Sequence, residues 1–436
     1  MTDSTAPPLP TGLNARLSFM MFLQYAIWGA WLPILYPFLT GHRGFSLEQC
    51  GMILSGGAVG AIIGPFLAGQ IADRYFSTEK FLGLSHLIGA ALVYKLSTTT
   101  EYSGFLTLSV VYGLVYAPTL ALTNSLSFAH LPDRDRDFGR VRLWGTLGWI
   151  AAGIAVGQWL FLHHTPVDVT VEAVTAAQDA GRADAFRLSA AMGVLMGLYC
   201  FTLPNTPPSK GSKEKSATVE ALGEIRRQPL VTLFLIALPV SCIHQFYFVY
   251  TSTFLSDYGT DAANTINKIF GVGGGGLMTI GQMSELVVLA VIPFVAKSLS
   301  RKSLLAIGLL AYAGRMALFA YTDSLATMLL GVALHGLCFG CFIFVAFMVV
   351  DEETTPDVRA TAQNLFNLVI VGVGIILGSW IATAKVGVWA MGEDGVMDYT
   401  KLFSVPMYAS LACLVALLVL YPSRSPKRGD SGAALS

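Results

Sequence analysis

Few ionisable side chains lie inside the long apolar stretches of this 436-residue chain, and each is a candidate for chemistry because charge is costly there. They are Lys95, Arg142, Glu285, Arg315, His86, His244 and His335. Glu285 is the strongest signal, since it lies mid-stretch and three residues after Gln282, on the same helix face. A carboxylate that is expensive to bury as an anion can load and release a proton. The alternative is a structural carboxylate paired permanently with an arginine.

Arg142 follows a charged loop at 133–137 and precedes a stretch, up to Trp159, that is free of charge. A guanidinium keeps its proton, so on a membrane-spanning segment it requires anions, dipoles or water. Arg142 is therefore a candidate site residue, and Thr146 and Trp149 extend the same stretch. The alternative is that Arg142 only extends to the headgroups from the helix end.

The composition predicts an all-α polytopic membrane protein. Hydrophobic residues make up 54% of the chain and charged residues only 12%, whereas soluble proteins are about a quarter charged. Apolar runs of about 20 residues, enough to cross a bilayer, recur from end to end. They predict twelve spans, at about 17–40, 47–72, 80–99, 103–129, 140–162, 186–203, 230–256, 270–298, 303–321, 324–350, 360–385 and 402–421. The six cysteines lie in or near these runs, and we expect no metal site from them.

Lys and Arg are concentrated in the loops on the side of the N-terminus, which predicts that both termini are cytoplasmic. The polar, basic segment 204–229 predicts a cytoplasmic linker, with a short helix at 217–227. It separates an N-terminal half (1–203) from a C-terminal half (230–421), which a cytoplasmic tail (422–436) follows. We expect the outer loop at 163–185 to be at most partly ordered.

An internal repeat supports the division into two six-helix halves. Gly157-Gln158-Trp159 matches Gly378-Ser379-Trp380, and Gly153 matches Gly374 at the same offset. Two parallel six-helix halves with a binding site between them describe the major facilitator architecture. The segment from Gly69 to Arg74 resembles the G-x-x-x-D-R loop of that superfamily. The resemblance implies that Asp73 and Arg74 form a conformational charge lock between the halves.

Longer motifs resemble one family of that superfamily, the nucleoside:proton symporters. They are Phe22-Leu23-Gln24-Tyr25 with Trp28-Gly29-Ala30-Trp31, Tyr116-Ala117-Pro118-Thr119-Leu120 with Asn124, Arg142-Leu143-Trp144-Gly145-Thr146, Gln282-x-Ser284-Glu285, and Arg359-Ala360-x-Ala362-Gln363. The resemblance implies that the substrate and proton positions are Arg142, Thr146, Gln245, Gln282 and Glu285. It also implies that Trp149 stacks on the nucleobase.

Residue chemistry agrees with this resemblance. Trp149, Trp28 and Phe248 can sandwich a flat base, and a stacked base contributes about 1–3 kcal/mol. We include Gln24 and Phe339 among the candidate substrate contacts. The alternative for the aromatic residues is packing against lipid or core.

The chain departs from the family at two positions. The family typically has an aspartate after the phenylalanine that aligns with Phe339, and here that position is Gly340. Phe248 replaces an asparagine one turn after Gln245. We therefore expect a less polar pocket in which Glu285 alone carries the proton, with His335 as a second candidate.

These observations predict a proton-coupled nucleoside importer of a bacterial inner membrane, working as a monomer in the bilayer. The only coupling ion expected is the proton, with no cofactor and no nucleic-acid partner. One alternative is a major facilitator transporter for another solute, such as a sugar or a modified nucleoside. A membrane enzyme or a non-transporting sensor is a second alternative, disfavoured because no nucleophile, metal-ligand cluster or soluble output domain is apparent.

Overall fold

The fold is a bundle of long helices, in a computed structural model that describes residues 7–75, 77–207, 214–258, 263–296, 298–355 and 357–422. The long helices of this described part are α1 (Thr11–His42), α2 (Leu47–Tyr75), α3 (Thr78–Thr98), α4 (Tyr102–His130), α5 (Arg134–His163), α6 (Ala183–Cys200), α7 (Leu230–Tyr258), α8 (Gly275–Val295), α9 (Arg301–Tyr321), α10 (Leu325–Glu353), α11 (Thr361–Ala390) and α12 (Tyr399–Leu420). They correspond one to one with the twelve predicted spans, so the predicted fold class is confirmed.

Eleven of these helices are long and apolar enough to cross a membrane, and α6 is the exception. It nevertheless lies in the bundle, packed along α3 and α1. Its small residues explain both facts: Gly193 lies against Ala90, and Gly197 lies against Leu87 of α3. Small residues let the helix backbones approach closely, so α6 packs well without a strongly apolar surface.

The short helices outside the bundle test two expectations about the loops. The linker contains the helix Glu214–Ile225, which confirms the predicted short helix, and Glu224 anchors it to the C-terminal half through Thr355 (2.9 Å). The expectation of an outer loop that is at most partly ordered is wrong. That loop contains the helix Val171–Gly181, which begins where Thr170 caps its first turn and packs against the end of α1.

The two halves meet at the end of the bundle opposite the linker, which we call the closed end. There α5 packs on α8, α2 on α11 and α1 on α7. The backbone N–H of Val272 donates a hydrogen bond to the carbonyl oxygen of Gly157 (3.0 Å), so the main chains of the two halves touch. Gly271 permits this approach, because it has no side chain and a positive φ of 77°.

Candidate functional site

Trp149 of α5 lies at the interface between the halves. Its ring meets that of Phe248 of α7 edge to face, with centroids 6.4 Å apart. On the other side it meets the ring of Trp28 of α1 at 5.8 Å. Gly29 makes room for it, because a Cβ atom at that position would lie 2.8 Å from the Trp149 Cα. The three aromatic residues that the sequence singled out thus form one cluster across the two halves.

Arg142 lies two turns before Trp149 on the same face of α5, and Thr146 lies between them. Asp133 precedes the helix as its N-cap, and its carboxylate accepts a hydrogen bond from the backbone N–H of Arg136 (3.1 Å). The guanidinium of Arg142 is half-buried and lies over the ring of Tyr25 at 4.1 Å, a cation–π contact. It is therefore held at the interface rather than extended toward the headgroups.

Glu285 of α8 faces the same interface with only 12% of its side chain exposed. Its Oε2 atom lies 3.7 Å from Nε2 of His335, which is closer than any other basic group in the described part of the chain. That separation is an electrostatic contact and too long for a hydrogen bond. Arg142 acts on the carboxylate from a greater distance. The structure thus brings together Arg142, Glu285 and His335, which the sequence named separately.

Behind His335 lies a buried polar cluster that sequence reasoning did not assemble. Arg315 of α9 is fully buried, with Nη1 at 3.3 Å from Nδ1 of His335. The rings of Tyr247 and Tyr312 lie 4.3 and 5.0 Å from its guanidinium carbon. His244 completes the cluster, with Nδ1 at 2.7 Å from the Tyr312 hydroxyl. The available signal was spacing, because Tyr312 precedes Arg315, and His244 precedes Tyr247, by three residues.

The two interface glutamines differ in what they already bind. Gln245 is buried, and its Oε1 accepts a hydrogen bond from Ser379 of α11 (3.4 Å). Gln282 is also buried, but its Oε1 has no hydrogen-bond partner among the described residues. A buried acceptor without a partner is available to a ligand.

Gln24 lies apart from the interface cluster, in the core of the N-terminal half. It is fully buried, its Nε2 donates to Thr119 (2.8 Å), and its Oε1 lies 2.9 Å from Nε2 of His86. Its amide is therefore already satisfied in this conformation. Asp73 and Arg74 lie on α2, but their side chains are outside the described part of the chain, so the charge lock remains a prediction.

Helix packing explains why position 340 is a glycine in this chain. Phe339, half-buried, stacks toward His335 with ring centroids 6.4 Å apart. A Cβ atom at Gly340 would lie 2.5 Å from Cγ1 of Val288 on α8. Valine is stiff at χ1, so α8 and α10 approach closely because position 340 lacks a side chain. The space that a carboxylate would need is filled by Val288.

Fold and site together define a membrane transporter with two six-helix halves of the major facilitator type. The model of the Nucleoside H+ symporter family matches residues 11–426, and the chain belongs to this family. It is 34% identical to the "Putative nucleoside transporter YegT" of Escherichia coli (strain K12), over 84% of this chain and 82% of that protein. It is 27% identical to the "Xanthosine permease" of the same organism, over 93% and 94%.

A crystal structure of a variant of the nucleoside transporter NupG has a similar fold. The TM-score is 0.82 at 24% sequence identity, over 94% of this chain and all of that one (100%). A likeness at this identity supports the fold only. The family relationship, which rests on the sequence matches, identifies a transporter and not an enzyme.

Proposed function

We propose that the chain imports nucleosides by proton symport, exposing one site alternately on the two sides of the membrane. The observation that carries this proposal is the position of Glu285. It is a nearly buried carboxylate at the interface of the halves, beside His335 and within the field of Arg142. A proton gained there changes the charge of the interface and can bias how the halves pack. Membership of the Nucleoside H+ symporter family supports both the solute class and the coupling ion.

The nucleobase binds between Trp149 and Phe248. Their rings touch across the interface in this conformation, so an entering base separates them and replaces one aromatic contact by two. Gln282 offers its free Oε1 to a donor on the base or the ribose. Arg142 and Thr146 line the same side as Trp149. Relatives described as a nucleoside transporter and a xanthosine permease support this substrate class.

Protonation of Glu285 couples the ion to the movement of the halves. The ionised carboxylate attracts both His335 and Arg142, which come from different halves. Once neutral, it no longer holds them, and the halves can repack around the bound substrate. Release of the proton on the other side restores the attraction and resets the site.

The distribution of Lys and Arg supports an orientation with both termini in the cytoplasm of a bacterium, in its inner membrane. In that orientation the closed end, where α5 packs on α8 and α1 packs on α7, faces the periplasm. The chain functions as a monomer in the lipid bilayer, with the proton as its coupling ion and with no cofactor. Nucleic acid is not a partner.

Uptake by the purified protein in proteoliposomes tests the proposed function. With an alkaline interior, we expect accumulation of labelled uridine, adenosine or xanthosine up to about tenfold per pH unit for one proton per nucleoside. Collapse of the gradient with an ionophore should leave only equilibration. Equal uptake with and without the gradient would contradict proton coupling, and competition by sugars alone would contradict the substrate class.

Replacement of Trp149 tests the position of the base. Trp149→Ala should raise the half-saturation concentration for uptake by about 5- to 150-fold, which corresponds to about 1–3 kcal/mol of stacking. Trp149→Phe keeps an aromatic face, so its half-saturation concentration should rise much less. Trp144→Ala is the matched control, because Trp144 is exposed and lies about 140° around α5 from Trp149. An equal loss in Trp144→Ala and Trp149→Ala would contradict the assignment.

A further inference from the structure

Arg315 carries a buried charge with an unusual set of partners. It is fully buried, and no carboxylate forms an ion pair with it in the described part of the chain. Its Nε and Nη2 atoms meet no acceptor among the described residues, and the guanidinium lies against the faces of Tyr247 and Tyr312. Its described hydrogen bond joins Nη1 to Nδ1 of His335. Burial of a cation without a carboxylate partner costs free energy, so the position of Arg315 requires an explanation.

The contact with Arg315 fixes the tautomer of His335. A guanidinium can only donate, so Nδ1 of His335 must be the acceptor and carries no hydrogen. In the neutral imidazole the hydrogen therefore lies on Nε2, the atom that faces Oε2 of Glu285 at 3.7 Å. The imidazole thus presents a donor to the carboxylate and cannot take up a proton at Nδ1.

We propose that Arg315 is a positioning residue for proton coupling: through His335 it presents an N–H group and a positive field to Glu285. The proposal rests on the proposed function, because it assumes that Glu285 is the proton site. Position 340 of α10 is a glycine, so it supplies no second carboxylate near Glu285. Arg315 and His335 therefore set how strongly the one remaining carboxylate holds its proton.

Charged and titratable groups from each helix packed around Glu285 and His335 also affect how strongly Glu285 holds its proton. They are Arg142 of α5, His244 and Tyr247 of α7, Tyr312 and Arg315 of α9, and His335 with Cys338 of α10. In the described part of the chain, Arg142 and Arg315 are the permanent cations of this set. Arg142 comes from the N-terminal half and Arg315 from the C-terminal half. A substitution at His335 thus changes the link to Arg315 without altering Arg142.

Two substitutions at His335 separate the roles of its two nitrogens. The amide nitrogen of glutamine can occupy the place of Nε2, whereas that of asparagine reaches only the place of Nδ1. We expect His335→Gln to keep the pH of half-maximal uptake close to that of the unsubstituted protein. His335→Asn loses the donor to Glu285, so its pH profile should move toward alkaline pH by about one unit.

Substitutions at Arg315 test whether this residue controls the pH profile through His335. Arg315→Met removes the charge and the donor, and we expect the same alkaline shift as in His335→Asn. Arg315→Lys keeps a buried cation that can donate to Nδ1, and we expect it to keep the original pH midpoint. Nucleoside counterflow at fixed pH does not require net proton movement, so it is measured for each variant to report correct folding.

The pH profile of uptake, measured in proteoliposomes at constant gradient, decides between the outcomes. Equal pH midpoints in His335→Asn and the unsubstituted protein would overturn the proposal, and so would an equal shift in His335→Gln. If Arg315→Met loses counterflow because it fails to fold, the His335 pair still tests the proposal. An unsubstituted protein without any pH dependence would instead overturn the proposed function itself.

Discussion

The substitution Glu285→Gln is expected to abolish accumulation of nucleoside against its gradient while leaving exchange intact. Glutamine has the shape of the protonated carboxyl group but cannot release a proton, so the variant is fixed in the proton-loaded form. Loaded with substrate, it can still move between its two conformations, because the interface is neutral at this position. The proton gradient is therefore no longer coupled to substrate transport.

Proteoliposomes provide both measurements for Glu285→Gln. Uptake driven by a pH gradient should fall to equilibration, and counterflow of labelled against unlabelled uridine should persist within a few-fold. Glu101→Gln is a suitable control, because Glu101 is an exposed carboxylate that precedes α4 and is not one of the candidate site residues. Concentrative uptake by Glu285→Gln at the unsubstituted level would exclude Glu285 as the proton site.

The fold could be predicted from the sequence because the bilayer imposes a simple rule on each span. Apolar runs predicted all twelve spans, and eleven of the corresponding helices in the described part of the chain are long and apolar enough to cross a membrane. The sixth span satisfied that rule poorly, and its place depends on Gly193 and Gly197 packing against α3. The outer loop could not be anticipated in the same way. Its helix is ordered by contacts with the end of α1, such as Asp179 against Gly41, which lie far apart in the sequence.

The candidate site was predictable to the extent that helix periodicity brings residues together. The spacing of Arg142, Thr146 and Trp149 places them on one face of α5, and the contact of Trp149 with Phe248 shows that this face lies at the interface. The partners of Glu285 depend on how four helices pack, which spacing along one helix cannot reveal. Arg315 therefore had no identifiable partner in the sequence, although the structure places it behind His335. Likewise, the sequence alone indicates only that a carboxylate is missing at Gly340. The structure adds the reason, because Val288 packs against this position.

The substitution Gly157→Ala is expected to block the transport cycle by preventing formation of the closed end. A Cβ atom at this position would clash with the carbonyl oxygen of Phe270 and lie 3.3 Å from the Cα of Gly271. Both contacts are with backbone, which cannot move aside as a flexible side chain would. Overpacking of this kind costs about 1–3 kcal/mol, which disfavours this conformation by about 5- to 150-fold.

The clash exists only when the halves meet at the closed end, so the opposite conformation should tolerate the added methyl group. We therefore expect uptake by Gly157→Ala to fall about 5- to 150-fold, while binding of labelled uridine to the purified variant changes by less than about threefold. The split between transport and binding follows because the base contacts, Trp149 and Phe248, lie away from Gly157. It also indicates that the variant is folded.

Gly139→Ala is the matched control for this prediction, since Gly139 lies on the same helix and a Cβ atom there would meet nothing within 4 Å. Alanine also favours a helix more than glycine does, so neither variant is expected to weaken α5 itself. Uptake by Gly139→Ala should remain near the unsubstituted level. If Gly157→Ala transports equally well, the hydrogen bond between Gly157 and Val272 is not an obligatory contact of the cycle, and closure at this end must rely on α2 and α11 instead.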